Sequence, residues 1–306
     1  MNDKIYDVVI IGGGPGGYSA ALYCARSGMS VLVLEKLSPG GQMATTSDVE
    51  NYPGFPGVVD GFELGERMQE GAEKAGAKTI YADVTRLDLL ADPKVAETSE
   101  GTFLGKTVIL ATGAHPRKLG IPQEEALVNR GVAYCATCDG SFYKDKIVVV
   151  NGGGNTAVGD ALYLAKLAKK VYLVHRRDTL RATPIYLQRL EDAGVEIIWN
   201  SVVTGLQADK KLTAVELKDV KTGETRVLPT DGLFVAIGQL PESSLAAGQV
   251  AADQAGYIIA GEDTKTSVPG VFAAGDVRTK AVRQIITAAA DGAVAVHFAE
   301  EYLNEK

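Results

Sequence analysis

A short apolar run that breaks into a glycine-rich turn and then a helix occurs twice in this chain, 140 residues apart. No other feature restricts the fold so tightly. The first copy is Asp7-Val8-Val9-Ile10-Ile11 followed by Gly12-Gly13-Gly14-Pro15-Gly16-Gly17. The second is Ile147-Val148-Val149-Val150-Asn151 followed by Gly152-Gly153-Gly154-Asn155-Thr156-Ala157. Helical stretches come next, Ala20 to Arg26 and Val158 to Lys170, and then further apolar strands, Val31 to Leu34 and Val171 to Val174. Each copy therefore reads βαβ. The spacing is G-x-G-x-x-G in the first and G-x-G-x-x-A in the second. The first glycine permits a tight turn, the second lets a pyrophosphate approach the backbone, and the third position must be small for helix and strand to pack. The helix start then offers free N–H groups and a positive dipole end to the phosphates.

The ends of the following strands separate the two ligands. Glu35 lies 21 residues after Gly14. An acid there accepts hydrogen bonds from ribose hydroxyls and repels a 2′-phosphate, so the first site reads as FAD or NAD. The same count from Gly154 reaches His175, followed by Arg176 and Arg177. Two guanidinium groups match a dianionic 2′-phosphate, and Arg181 stands one helical turn further on, so the second site reads as NADP.

The 306 residues suffice for two domains. A formal charge of −7, from 31 basic and 38 acidic residues, speaks against nucleic acid as a partner. No run of 18 apolar residues predicts a membrane span, and Val8 to Ile11 is too short for a secretory signal, so a cytoplasmic, reducing location is expected. Three further segments end in small-residue turns where a cofactor edge can approach: Val108–Ala114, Gly232–Gly238 and Val271–Asp276. A helical stretch from Arg283 to Tyr302 follows. These place a second nucleotide domain (residues 116–244) inside a discontinuous first one (residues 1–115 and 245–306). Residues 92–101 read as a polar hairpin loop.

Just before the second βαβ unit stands Tyr134-Cys135-Ala136-Thr137-Cys138-Asp139-Gly140. Without a secretion signal a structural disulfide is disfavoured. A zinc site needs four ligands, and Cys24 with three histidines supplies none at ligand spacing, so no metal is expected. A dithiol–disulfide redox couple fits a chain with two nucleotide sites. Asp139, beside the second cysteine, is a candidate general acid or base. Cys24 reads as a packing residue.

Taken with Gly40-Gly41-Gln42, Glu50-Asn51-Tyr52-Pro53-Gly54, Ala111-Thr112-Gly113, Ala274-Gly275-Asp276-Val277 and Arg283-Gln284-Ile285, these motifs resemble the bacterial-type, low-molecular-weight thioredoxin reductases from Asp7 to Leu303. The resemblance implies an α/β chain of two Rossmann-like, three-layer ββα domains, with the NADPH domain inserted into the FAD domain. It implies that NADPH reduces FAD, that the flavin reduces the Cys135–Cys138 disulfide, and that the dithiol reduces thioredoxin. Cys138 would face the flavin, Cys135 would attack thioredoxin, and Asp139 would move the proton. FAD would be held by Gly12, Gly14, Pro15, Gly16, Glu35, Lys36, Gly41, Gln42, Thr46, Asn51, Val84, Ala111, Thr112, Gly113, Gly275, Asp276, Arg283, Gln284 and Ile285. NADPH would be held by Gly154, Asn155, Thr156, His175, Arg176, Arg177, Arg181, Ile237 and Gly238. The family is homodimeric, and its inserted domain rotates between nicotinamide and disulfide reduction. Family members often carry two phenylalanines after Asp-Gly, and here Ser141 replaces the first. That bears on partner preference, so another thiol protein is an alternative substrate. A flavin dithiol oxidase would dispense with Gly154, Arg176 and Arg177, and a non-enzymatic flavoprotein with the paired cysteines and Asp139.

Overall fold

Strand β1 (Ile5–Ile11) alternates its side chains between two faces, and both faces are covered: Val8 and Ile10 pack on one side, Val9 and Ile11 on the other. That double burial is why the run is continuously apolar. A computed structural model of the chain describes residues 4–46, 49–180 and 185–306. After β1 come α1 (Pro15–Arg26), β2 (Val31–Glu35), α2 (Gly61–Lys74), β3 (Lys78–Tyr81), β4 (Val84–Asp88), β5 (Lys94–Thr98), β6 (Gly101–Leu110), β7 (Ala114–Pro116), β8 (Val132–Ala133), α3 (Ala136–Asp139), β9 (Ile147–Gly152) and α4 (Asn155–Leu164). Next are β10 (Lys170–Val174), α5 (Ile185–Asp192), β11 (Glu196–Ile198), β12 (Ser201–Ala208), β13 (Leu212–Asp219), β14 (Thr225–Pro229), β15 (Gly232–Ala236), β16 (Gln239–Pro241), β17 (Val271–Ala273) and α6 (Ile285–Asn304). The chain forms two compact units, Met1–His115 with Leu240–Lys306, and Pro116–Gln239.

In the first unit, β3, β2, β1, β6 and β17 make a parallel sheet. The early half of β6 pairs antiparallel with β5, and β5 with β4. One face of the sheet carries α1 and α6 over Val8, Ile10, Val33, Ile109 and Phe272. The other carries Leu87, Ala96 and Phe103 of the antiparallel strands, with Leu89 just after β4, over Val9, Ile11, Leu34 and Leu110. The second unit repeats the plan, with a parallel sheet ordered β11-β10-β9-β15-β8 and an antiparallel sheet β12-β13-β14. Ala157, Ala161 and Leu164 of α4 cover Val148 and Val150, while Val203, Val215 and Leu217 cover Val149 and Val235.

Two sequence expectations change. Residues 92–101 are not a loop: Lys94 to Thr98 form β5, with Ala96 buried and Lys94 donating its ammonium to the Leu89 carbonyl at 3.0 Å. A charged residue at an inward position hid that strand. The second turn-helix stops at Leu164, not Lys170, and gives way to turns before β10. Cys24 is wholly buried on α1, and burial pushes its thiol up to about 12, which makes it inert.

The first glycine of each turn abuts the neighbouring strand. Gly12 holds φ at +103°, and a Cβ there would lie 2.5 Å from the Ala111 oxygen. A Cβ on Gly17 would collide with the Gly12 carbonyl, whereas Gly71 in α2 has open space around it. Gly17→Ala should therefore cost about 3 kcal/mol of unfolding free energy, and Gly71→Ala should gain about 0.5–1 kcal/mol. Chemical denaturation of both variants checks this contrast.

Candidate active site

Strand register brings the sequence-predicted turns of the first unit to one edge. Leu34, Ile11, Leu110 and Ala273 are partners across β2, β1, β6 and β17. The next residues, Glu35, Gly12, Ala111 and Ala274, therefore leave the sheet side by side at its carboxyl end, where open α/β sheets bind ligands. Gly14 is the N-cap of α1 and brings no side-chain acceptor, and Pro15 at the first position has no N–H to orphan. A Cβ on Gly14 would meet nothing nearer than the Gly40 oxygen at 4.0 Å, so this face of the turn is open.

Glu35 braces that turn. Its Oε2 accepts the Gly13 N–H at 2.6 Å and its Oε1 the Leu37 N–H at 3.0 Å. Lys36 is paired with Asp83 at 2.9 Å on the surface, next to Val84 at the start of β4. Gly41 and Gln42 begin a short 3-10 turn that runs to Thr45, before Thr46. Thr112 donates to the Glu242 carbonyl, and Gly113 holds φ at +76°. Asn51 donates to Gln284 Oε1 at 3.0 Å, and Gln284 is the N-cap of α6, reciprocally bonded to Thr287. Ile285 packs with Met43, Val49, Val59 and Leu64. The guanidinium of Arg283 lies 4.1 Å from the Tyr257 ring centroid.

Two groups at this edge are buried with no hydrogen-bond partner among the described residues: Asp276 Oδ1 and Arg283 Nε. Burial raises the Asp276 carboxyl above its ordinary value, against the pull of Lys280 and Arg283. Beneath them lies a cluster that sequence reasoning missed. Asp291 accepts from Gly275 N at 2.9 Å, Arg278 Nε at 3.0 Å and Lys280 Nζ at 2.7 Å. An aspartate inside the apolar run Ala288–Val296 was the available signal.

The second unit repeats the edge. Val174, Asn151 and Val235 are partners, so His175, Gly152 and Ala236 follow at one level. Strand β8 ends at Ala133, opposite Phe234, and delivers Tyr134 and Cys135 past the same edge. Gly154 is the N-cap of α4, with open space about it, and Asn155 and Thr156 occupy the exposed first turn. His175 is 6% exposed, its ring lies against Gly153, and its Nε2 sits 3.0 Å from the Thr179 carbonyl. Burial lowers its pKa below the ordinary histidine value. Arg176 and Arg177 are exposed and form no ion pair among the described residues. Ile237 is half-buried, and Gly238 holds φ at +113°. Arg181 lies outside the described residues.

Cys135 and Cys138 are joined by a disulfide. Cys135 is the N-cap of α3 and Cys138 lies within it. The segment is held by Ala136 in the core and by Gly140, where a Cβ would press on Tyr163 and Leu164 of α4. Tyr134, just before it, donates to Glu124 Oε1 at 2.9 Å, and buried Glu124 also accepts from Leu119 N and Gly120 N. Burial alone pushes Asp139 up to about 6, and Asp160 on α4 likewise to about 6. Phe142, 41% exposed, stands three residues beyond Asp139.

A duplicated dinucleotide-type edge, with a redox-capable disulfide at one copy, defines a pyridine nucleotide-linked disulfide oxidoreductase. The family model "Pyridine nucleotide-disulphide oxidoreductase" matches residues 6–292, and the chain belongs to that family. Among its curated relatives, a thioredoxin reductase of Listeria innocua is 44% identical over 99% of this chain and 95% of that protein. One from Streptomyces clavuligerus is 47% identical over 99% and 95%. The crystal structure of thioredoxin reductase from Streptococcus pyogenes matches with a TM-score of 0.91 at 44% identity, covering 99% of both chains.

The raised pKa of Asp139 has a stability consequence. The unfolded carboxyl ionises near pH 4 and the folded one near 6, so the folded state loses stability as pH rises through that window. Asp139→Asn should stabilise the oxidised protein by up to about 3 kcal/mol at pH 8 and leave it unchanged below pH 4, as urea titrations at the two pH values will read.

Proposed function

We propose that this protein is a thioredoxin reductase: it uses NADPH, through FAD, to reduce the disulfide of thioredoxin. The observation that carries this reading is the common edge of the second sheet, where the Gly152–Gly154 turn, Arg176–Arg177 and the Cys135–Cys138 disulfide emerge together.

The first unit fits FAD. The partnerless Asp276 Oδ1 is an acceptor for a sugar or ribityl hydroxyl, and the partnerless Arg283 Nε is a donor to an oxygen. The open face of Gly14 and the α1 N-terminus suit a pyrophosphate. Glu35 keeps lone pairs for ribose hydroxyls beyond the two N–H groups that it accepts. Gln42, Asn51, Gln284 and the Ala111–Gly113 turn complete this set. In the second unit the α4 N-terminus suits the NADPH pyrophosphate and Arg176 with Arg177 its 2′-phosphate, while His175 keeps the turn in shape.

FAD, when bound, takes up the electron pair of NADPH and returns it to the protein disulfide. The chain's own thiols do the rest. The Cys135 thiolate attacks the thioredoxin disulfide, forming a mixed disulfide and expelling one thiolate. Asp139, with its pKa brought near neutrality, supplies the proton that thiolate needs. Cys138 then attacks the Cys135 sulfur, freeing the second thiol of thioredoxin and closing the Cys135–Cys138 bond. Two electrons and two protons leave with the reduced partner. Phe142 and Ser141 belong to the surface that meets thioredoxin. The working form is a cytoplasmic homodimer, as the family resemblance of the motifs implies.

Mixing the purified protein with NADPH or NADH in the absence of oxygen tests the reading through the flavin absorbance. Rapid bleaching by NADPH alone is expected, and bleaching by neither nucleotide would overturn it. Arg176→Ala with Arg177→Ala should weaken NADPH by about 1.5–3 kcal/mol per guanidinium, less than additively, and leave NADH nearly unchanged. Cys135→Ser should abolish thioredoxin reduction while flavin bleaching by NADPH persists.

A further inference from the structure

We propose that Lys280 and Asp291 form a buried switch that positions Asp276 and sets how readily its carboxylate accepts hydrogen bonds from the bound flavin cofactor. The inference rests on the reading that the first unit holds FAD. Asp291 lies one residue short of Gly292, where a Cβ would collide with the Gly16 carbonyl of α1, so its place on α6 is sterically fixed. Its two oxygens take a bidentate Arg278, Nε to Oδ2 and Nη2 to Oδ1, both at 3.0 Å. The rest of Arg278 is largely engaged too, because its Nη1 donates to the Ala260 and Thr279 carbonyls at 3.1 and 3.0 Å.

One guanidinium already matches the Asp291 charge, yet Asp291 Oδ2 accepts two more donors. One is the Gly275 N–H, which fixes the backbone just before Asp276; the other is Lys280 Nζ. Lys280 is therefore a surplus buried cation, its side chain 7% exposed, shared between Asp291, which it touches, and Asp276, on which its field acts. The charged and titratable groups acting on Asp276 are Lys280 and Arg283, which favour its ionised form, and Asp291 and Tyr257, which are anionic or become so. Arg278 stands behind Asp291, paired with it. An ionised carboxylate only accepts hydrogen bonds, so the cofactor hydroxyls that Asp276 would hold bind best when it is charged. Asp291 competes for the cation that keeps it so.

The two variants are thus expected to act in opposite directions. The test uses purified flavin-loaded protein and the fluorescence of released FAD as pH is lowered, read over the range in which circular dichroism is constant. Lys280→Met should move the release midpoint up by about one pH unit. Asp291→Asn, which still accepts the Gly275 N–H but releases Lys280 toward Asp276, should move it down. Lys280→Arg, which keeps the charge, should restore the wild-type profile. Unchanged midpoints in a flavin-loaded Lys280→Met protein would overturn the switch and leave the FAD reading standing, as would an upward shift in Lys280→Arg equal to that in Lys280→Met. Should Asp291→Asn fail to fold, the Lys280 pair alone decides. A wild-type protein that binds no flavin would overturn both.

Discussion

Parallel strand register is the constraint on which the rest depends. In the first unit, partners Leu34, Ile11, Leu110 and Ala273 put Glu35, Gly12, Ala111 and Ala274 in one row. Those four positions lie far apart in the chain and have no reason to meet until the sheet forms. A slip of one residue in β1 would turn Val8 and Ile10 to the wrong layer and displace Gly12 from Ala111 at the same time. Packing and site geometry are thus enforced together, because both faces of the sheet are buried. The second unit uses the same device for His175, Gly152 and Ala236, and adds the cysteine pair by ending β8 beside them.

Much of this was legible in the residues. Glycine spacing marks strand, turn and helix at once, since only those residues allow the close backbone approach at Gly12 and Gly17. The identity of Glu35 against His175-Arg176-Arg177 separates the two nucleotide readings by charge. What stayed hidden depends on partners distant in sequence. Strand β5 carries Lys94 at a buried position, which breaks the apolar alternation that announces a strand. Asp291 meets cations 13 and 11 residues earlier, across a turn rather than along a helix face. The His175 ring lies against Gly153, a contact that its place in a basic run does not announce.

The buried carboxyls sort themselves by what surrounds them. Asp291 has two cations and a backbone N–H, which together hold it below the ordinary carboxylate range despite its burial. Asp139 has burial and no cation, and its affinity for a proton rises toward neutrality. Asp276 lies between the two, desolvated but in the field of Lys280 and Arg283. Ion pairing, bare burial and partial screening thus set three different proton affinities in one chain.

The difference between Gly17 and Ala157 carries further than packing. Both occupy the third position of their turns, but the first helix lies so close that Gly17 faces the Gly12 carbonyl directly, while α4 stands far enough out to seat a methyl group beside Gly152. The two copies share a plan without being interchangeable parts. A chimera that put the second turn's alanine into the first unit would be refused by a single backbone oxygen. The reverse exchange would merely leave a small void. A lineage that began from two like halves would find this divergence easier to enter than to retrace.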